Sequence, residues 1–424
     1  MQILPTSMRL MGTGLRPRLA CEVRPHGIVA ARSEDAAGTI SAVSMSTLQT
    51  GVLVPGLRTG NIADRSNFIS ALQRALDPLS GKNREITLVV PDSTVRVLLL
   101  DFDSLPSRAA EALPVVRFRL KKLLPFEADD ASVSYQVMST ERNLVRVVAA
   151  AMPREVLDEY ELAVRDAGYE PGAVLPSTLA SFTLLHARAA AEHASLIVNA
   201  NQYAVTTAIV RSGVLLLHRT LDFTAEVPTL AEVRSEETAI EPAPVAPIFA
   251  EALNPAPPVV TEYVEPLPTW ELAHPHVEPD HTNDEAYLAP HPTDTFDGSP
   301  IAAAAAMQSE QLRQEIEHEA IAAAAATHAE DEAIIADVAQ AVSVATAYFE
   351  DTLNAVPSEI LSAGTLDAQA LQSILAEAGF GDALMHVREI VPASLLHAEA
   401  ASASVPRSLL AGVAGALATG DAQG

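Results

Sequence analysis

Residues 95–138 read VRVLLLDFDSLPSRAAEALPVVRFRLKKLLPFEADDASVSYQVM, and residues 144–182 read LVRVVAAAMPREVLDEYELAVRDAGYEPGAVLPSTLASF. Apolar, β-branched runs alternate in these stretches with segments of helical spacing, and the connections are short. The predicted elements are a strand Val95–Leu100, a helix Ser107–Leu124, strands Ser132–Met138 and Leu144–Ala150, and a helix from Pro153 to Ala167 that Gly168 ends. This order predicts a compact α+β unit, one small sheet carrying two helices.

The motifs of this unit resemble those of one family. A leucine-rich strand leads to D-x-L-P, a basic helix ends in L-L-P-F, and the sequences S-Y-Q-V and A-A-P-R-E-V-x-D-x-Y follow. Met152 departs from the last motif, because it stands between the two alanines and the proline. These motifs resemble the type IV pilus assembly protein PilM, and the chain is identified as a divergent member of that family. The matching residues are Asp103, Leu105, Pro106, Leu123, Leu124, Pro125, Phe126, Tyr135, Gln136, Ala151, Pro153, Arg154, Glu155, Val156, Asp158 and Tyr160.

The resemblance implies an α/β fold that is actin-like (ribonuclease H-like), with two lobes and an inserted α+β subdomain, related to the cell-division protein FtsA. Outside the motif region, strands are predicted at Leu19–Val23, Gly27–Arg32, Thr39–Met45, Ile86–Val90, Ser195–Asn199, Ala204–Val210, Val214–Arg219 and Val387–Val391, and helices at Asp64–Leu76, Pro176–Ala190, Ser309–Thr352 and Asp367–Ala378. Ser408–Ala418 has the pattern of a weak helix, and it lacks the basic residues of a membrane anchor.

A composition change near residue 225 sets the domain boundaries. From Ala225 to Pro300 the chain holds about half of its 29 prolines, and Arg234 is the only basic residue apart from histidine. Such a segment cannot bury enough apolar surface to offset its ordering entropy, which predicts a long disordered acidic linker. The expected domains are a disordered N-terminal extension (1–15), a first lobe (16–92 and 172–194), the inserted subdomain (93–171), a second lobe (195–224 and 301–395) interrupted by the linker (225–300), and a C-terminal tail (396–424).

Composition also limits the classes of partner. The formal net charge is −27 and the pI is about 4.7, which argues against nucleic acid or an anionic lipid surface as the main partner. The single cysteine, Cys21, cannot form an internal disulfide, which fits a reducing compartment. No continuous apolar run approaches the roughly 20 residues of a spanning helix. We therefore expect a cytoplasmic protein, and the resemblance implies that it reaches the inner membrane only through a partner.

The resemblance implies a site for ATP and Mg²⁺ made by two D-x-G hairpins and a Gly-Gly turn. In this sequence Glu22 and Arg24 stand at the Asp and Gly of the first hairpin, and Asn199 and Asn201 at those of the second. The third turn keeps one glycine, in Ser362-Ala363-Gly364. With the paired carboxylates gone, we expect a degenerate site, no bound cofactor and no enzymatic activity; a working ATPase or phosphotransferase is the alternative.

The helix Ser107–Leu124 concentrates positive charge in an acidic chain. Its basic residues lie beside leucines. This pattern is typical of a docking face for a peptide or for a neighbouring subunit of a homo-oligomer. The candidate partner-binding residues are Arg117, Arg119, Leu120, Lys121, Lys122, Leu124 and Phe126. The resemblance implies that the partner is the cytoplasmic tail of a PilN-like bitopic protein and that the chain is a non-catalytic adaptor. The cytoplasmic part of an L-type protein of type II secretion is the alternative within the scaffold class.

Overall fold

A computed structural model describes residues 17–35, 38–186, 194–223, 332–355, 357–380, 386–398, 400 and 405–418. The predicted N-terminal extension and the predicted acidic linker lie outside the described residues.

The first lobe is built on a five-stranded sheet. Its strands are β1 (Leu19–Arg24), β2 (Gly27–Ser33), β3 (Ile40–Thr47), β4 (Glu85–Val90) and β8 (Glu170–Pro176), in the order β3-β2-β1-β4-β8. The first three strands pair antiparallel, whereas β1, β4 and β8 are parallel. Helix α1 (Arg65–Leu76) covers this sheet, and the Asp64 side chain caps it by accepting a hydrogen bond from the Asn67 amide.

The second lobe repeats the same plan. Its strands are β9 (Ala194–Ala200), β10 (Ala204–Arg211), β11 (Val214–Asp222), β12 (Glu359–Gly364) and β13 (Val387–Glu389), in the order β11-β10-β9-β12-β13. Here too an antiparallel meander is followed by two parallel strands. This repetition confirms the prediction of a ribonuclease H-like lobe that occurs twice.

Two helices of the second lobe pack on this sheet. Helix α5 (Glu332–Leu353) ends in a π-helical turn, and helix α6 (Ala368–Glu377) begins at the Asp367 cap. By length and composition alone α5 is apolar enough to cross a membrane. However, its residues Val338, Val342 and Phe349 are fully buried in the core of the second lobe. The contacts of α5 are therefore those of a core helix.

The insertion is a three-stranded antiparallel sheet with one helix. Strands β5 (Arg96–Phe102), β6 (Ala131–Glu141) and β7 (Leu144–Pro153) pair in the order β5-β7-β6, and α2 (Ala109–Leu120) lies on one face. Alternate residues of β7 point to opposite faces. Val147, Ala149 and Ala151 meet α2, whereas Val148, Ala150 and Met152 join the core of the first lobe.

The second helix of the predicted α+β unit belongs to the first lobe instead. Helix α3 (Arg154–Asp166) buries Val156, Tyr160 and Val164 in the first-lobe core, where the Tyr160 ring meets Phe68 of α1 edge-on, with centroids 6.5 Å apart. Helix α3 begins directly after β7, and it packs against α1 and β8 of the first lobe. The inserted subdomain therefore ends near Pro153 rather than at residue 171.

The predicted C-terminal tail also contains a core element. Helix α7 (Ala411–Leu417) is buried at every position and packs on α4 (Ser177–His186) and on the first sheet. A side chain at Gly415 would collide with the backbone of Ala180, and Thr183 donates a hydrogen bond of 2.5 Å to the Gly415 carbonyl. The small residues that make this helix look weak in the sequence are those that allow the two backbones to approach.

Candidate functional site

The first candidate site residue, Glu22, is buried on β1. Its Oε1 atom accepts a hydrogen bond of 2.6 Å from the Ser177 hydroxyl at the start of α4, and its Oε2 atom lies 2.7 Å from an Arg24 guanidinium nitrogen. The side chains of Glu22 and Arg24 are only 2% and 8% exposed. Both carboxylate oxygens of Glu22 therefore have protein partners.

The C-terminal segment covers this ion pair. The guanidinium of Arg24 donates a second hydrogen bond of 2.9 Å to the Leu409 carbonyl. In α7, a Cβ added at Gly412 would lie 2.7 Å from Glu22 Cδ and 3.0 Å from Val89 Cγ1. The backbone of α7 thus rests directly on the carboxylate. Arg24 Nη1 is buried and has no hydrogen-bond partner among the described residues.

On the second hairpin, Asn199 connects the two lobes. Its amide nitrogen lies 2.8 Å from the Ser177 hydroxyl, 3.0 Å from the Thr178 hydroxyl and 3.3 Å from Asp92 Oδ2. Asn201, by contrast, closes its own turn, since its side-chain oxygen accepts hydrogen bonds from the amides of Tyr203 and Ala204. Of the two predicted asparagines, only Asn199 points into the cluster between the lobes.

The third predicted turn packs against the second. The Ser362 hydroxyl is buried and donates to the Leu366 carbonyl. Gly364 has φ of +85°, and a side chain there would collide with the Ala200 carbonyl and lie 2.7 Å from Asn199 Oδ1. This glycine is required for the close approach of β12 to β9 and for its backbone angle.

Asp92 is a site residue that the sequence analysis did not identify. It lies just beyond β4, after Pro91, and its carboxylate accepts hydrogen bonds from the Thr178 amide at 3.0 Å and from the Thr178 hydroxyl at 2.6 Å. Burial raises the pKa of Asp92 to about 6, although the Thr178 hydrogen bonds oppose that rise. The sequence signal was present: an Asp at the carboxyl end of a buried parallel strand faces the crevice of an α/β sheet.

The tips of the two hairpins also meet. The His26 side chain, in the β1–β2 turn, lies beside the Gln202 side chain in the β9–β10 turn. Burial lowers the pKa of His26, and the neighbouring Gln202 side chain acts in the opposite direction. Together with Asn199, this contact joins the first lobe to the second on the side where the hairpins face each other.

Comparisons with known proteins agree with this architecture. No family model and no curated protein matches the sequence. Among solved structures, the chain is similar to one in a PilM–PilN type IV pilus biogenesis complex, with a TM-score of 0.60 and 14% identity over 95% of this chain and 98% of that one. The chain has the fold of PilM.

Two further structures align less well. They are EutJ, an ethanolamine utilization protein from Carboxydothermus hydrogenoformans (TM-score 0.40, 10% identity, 98% of this chain and 94% of that one), and the cytoplasmic domain of EpsL, from the type II secretion system of Vibrio cholerae (TM-score 0.32, 11% identity, 48% and 70%).

Within this PilM-like fold, most of the predicted partner-binding residues have structural contacts. Arg117 donates hydrogen bonds to the carbonyls of Ala128 and Ala131, and Leu120 is fully buried. Leu124 and Phe126 pack against the core of the insertion, and Lys121 forms an ion pair of 2.6 Å with Asp129. Arg119 and Lys122 remain exposed, and neither has an ion pair among the described residues.

The exposed face of α2 also carries apolar side chains that the sequence analysis did not assign to the site. Val115 is 38% exposed, Phe118 69% and Leu123, in the following turn, 51%. Large exposed apolar side chains that cluster on one face are typical of an interaction site. With Arg119 and Lys122 they form the candidate docking face of α2.

A groove of about 440 Å³ lies beside the insertion in the same PilM-like fold. It is lined by residues 54–61, Ser93, Arg96 and Asp222. Glu159 of α3 fixes one wall by accepting hydrogen bonds from the amides of Gly60 at 3.1 Å and Ile62 at 2.8 Å. This groove is a second candidate site.

Proposed function

We propose that the chain is a non-catalytic, actin-like adaptor of type IV pilus assembly. It acts at the cytoplasmic face of the inner membrane, where it binds the cytoplasmic tail of a PilN-like bitopic protein. The observation that carries this proposal is the similarity of nearly the whole chain to a structure of a PilM–PilN complex. The insertion motifs that resemble PilM support it independently.

The non-catalytic part of the proposal rests on the cluster around Glu22. A Mg²⁺–phosphate site needs carboxylates with free oxygens and backbone open to phosphate. Here both oxygens of Glu22 have partners, α7 lies on the carboxylate, and Asn199 is neutral. These residues do not fit Mg²⁺–ATP.

One feature of the cluster, a buried nitrogen of Arg24 without a hydrogen-bond partner among the described residues, favours the binding of an anion, but a water molecule explains it more simply. The unpartnered Nη1 atom of Arg24 could donate to a phosphate oxygen. However, the same guanidinium lies under Leu409 and is paired with Glu22, so a phosphate would have to displace the C-terminal segment. A single ordered water would satisfy the atom at a much lower cost.

The partner-binding part rests on the docking face of α2. Exposed Phe118 and Leu123 offer apolar anchors, and Arg119 and Lys122 offer positive charge to an acidic tail. Helix-in-groove or surface-helix recognition of this type combines a few apolar anchors with charged residues at the rim.

The experiment is capture of a synthetic PilN-like cytoplasmic tail by the full chain. We expect Arg119→Glu with Lys122→Glu to weaken capture clearly, while circular dichroism is unchanged. Lys82→Glu with Arg142→Glu is the matched control, because both residues are exposed and neither belongs to α2. Equal capture by the two double variants would exclude the α2 face and direct attention to the 440 Å³ groove. No capture by the unmodified chain would contradict the adaptor function.

A further inference from the structure

Strand β3 forms an open edge of the first-lobe sheet. It pairs with β2 on one side, and on its other side pairing reaches only its first residue. There Ile40 forms a bridge with Leu396, and its carbonyl accepts a hydrogen bond of 2.9 Å from the His397 amide. Over residues 41–47 no further strand pairs with β3 within the described part of the chain. The outer backbone groups of this stretch are therefore available to another strand.

This open edge lacks the features that usually keep strand edges apart, which are charge, proline and bulges. Residues 40–47 read ISAVSMST, with no charged residue and no proline, and the ladder with β2 is regular from Ala42 to Thr47. The other edge strands of the three described sheets all carry charge: Arg96 and Asp101 on β5, Glu141 on β6, Glu170 on β8, Arg219 and Asp222 on β11, and Arg388 and Glu389 on β13. Among the described edge strands, β3 alone has no charge that opposes pairing.

The open stretch is complementary to a second copy of itself. A strand that pairs antiparallel with its own copy is related to it by a two-fold axis, the commonest symmetry of protein oligomers. An axis through Val43 would place the copy opposite Ile40, where Leu396 already lies. An axis through Ser44 avoids that collision and pairs the whole of residues 41–47 with the same residues of the copy. The bridge to Leu396 therefore selects one register.

The side chains and the net charge fit this register. Directly opposite residues of an antiparallel pair share a face, so each Met45 lies against Val43 of the second copy, and Ser44 meets itself at the axis. Met45 is large and apolar, yet it is 47% exposed in the single chain. Two chains with a net charge of −27 repel each other, and an uncharged segment is where that repulsion opposes contact least.

We propose that the chain forms a symmetric dimer in which β3 pairs antiparallel with β3 of a second copy, with the two-fold axis at Ser44. The pairing joins the two first-lobe sheets into one continuous sheet and covers the exposed Met45 side chains. It uses no residue of the candidate docking face of α2. A contact made by one strand edge is smaller than a standard interface of about 1,600 Å², so the dimer is weak and forms in a concentration-dependent way.

Sedimentation velocity of the full chain tests the proposal. We expect a monomer at low micromolar concentration and a growing dimer fraction at high micromolar concentration. Met45→Lys should abolish the dimer and leave circular dichroism unchanged, because it places a charge at the paired edge on a side chain that is half exposed. Leu162→Lys on α3 is the matched control, since Leu162 is 51% exposed, and it should dimerise normally. A monomer at every concentration, or a dimer that Met45→Lys does not weaken, would overturn the proposal.

Cross-linking through introduced cysteines tests the register. The native Cys21 is buried, so Ser44→Cys supplies the accessible thiol, and a short thiol cross-linker should join two chains at the axis. Thr47→Cys is the control, because its two copies lie about 20 Å apart along the paired strands and should cross-link far less. Equal cross-linking of the two variants would overturn the proposed pairing. Arg119→Glu with Lys122→Glu should leave the dimer intact, and its loss in that variant would assign self-association to α2 and overturn the proposal.

Discussion

Glu22 and Arg24 form an ion pair of 2.7 Å within one strand. Residues i and i+2 of a strand share a face, so this pairing needs no distant contact to bring the two groups together. The resemblance to PilM implies an aspartate and a glycine at these two positions. At these two positions the chain instead carries a carboxylate and a guanidinium that pair with each other.

Removal of Arg24 should therefore be costly. Arg24→Ala leaves the buried carboxylate of Glu22 without its counter-charge, and we expect the free energy of unfolding to fall by about 3 kcal/mol. Urea denaturation followed by circular dichroism measures this loss. The double variant Glu22→Gln with Arg24→Met removes both charges and should recover most of the stability. A change below about 0.5 kcal/mol in Arg24→Ala would show that the pair contributes little.

The C-terminal helix should behave as part of the first lobe. Gly415→Ala places a methyl group 2.5 Å from the Ala180 carbonyl carbon, so we expect a loss of about 2 kcal/mol from overpacking. Gly56→Ala is the matched control, because nothing lies within 4 Å of the added methyl group. Equal thermal midpoints for the two variants would mean that α7 does not pack on α4 as described.

Asp92 should give a pH dependence of stability with a defined sign. Burial raises its pKa from 3.8 in the unfolded chain to about 6 in the folded one, so between these values the folded state holds the proton and the unfolded state does not. The stability contribution of Asp92 is therefore present below about pH 4 and is lost as the pH rises through about 6.

The neutral variant Asp92→Asn isolates this effect. We expect the thermal midpoint of Asp92→Asn, relative to the unmodified chain, to rise as the pH increases from 4 to 7. Paired melting curves across that range measure the difference, and contributions of other carboxylates cancel. A relative midpoint that stays constant or falls with pH would indicate that Asp92 remains ionised in the folded chain.

The two sides of α2 should respond differently to truncation. Leu120 is fully buried in the core of the insertion, so Leu120→Ala should cost about 2–5 kcal/mol of stability. Phe118 is 69% exposed, so Phe118→Ala should leave the unfolding midpoint nearly unchanged and should weaken capture of a PilN-like tail. Reduced stability of Phe118→Ala with normal capture would contradict the assignment of that face to binding.

The sequence predicts the elements of this chain well and their tertiary partners less well. The strands of both lobes, helix α1 and the strands of the insertion all follow from hydrophobic period and turn chemistry, which are local. The membership of α3 in the first lobe does not, because its apolar face looks the same whichever sheet it covers. Helix α7 shows the same limit. Its glycines lower the helix propensity of the sequence, and only the structure shows that they allow α7 to pack closely against α4.

The candidate site divides in the same way. The motif positions predict Glu22, Asn199 and Gly364 as site residues, and the structure brings these three residues together. Asn201 was also included, but its side chain is used within its own turn. On α2, sequence identifies basic residues and leucines but not their direction. The result is that buried Leu120 was predicted to bind while exposed Phe118 was not.

The central claim, that the chain's own residues replace Mg²⁺–ATP between the lobes, is tested most directly by calorimetric titration of the full chain with ATP in the presence of Mg²⁺. We predict no binding in the micromolar range, and no magnesium-dependent change in the thermal midpoint at millimolar ATP. A low-micromolar isotherm that disappears when Mg²⁺ is removed would contradict the account, because it would require Glu22 to leave Arg24 and α7 to leave the carboxylate.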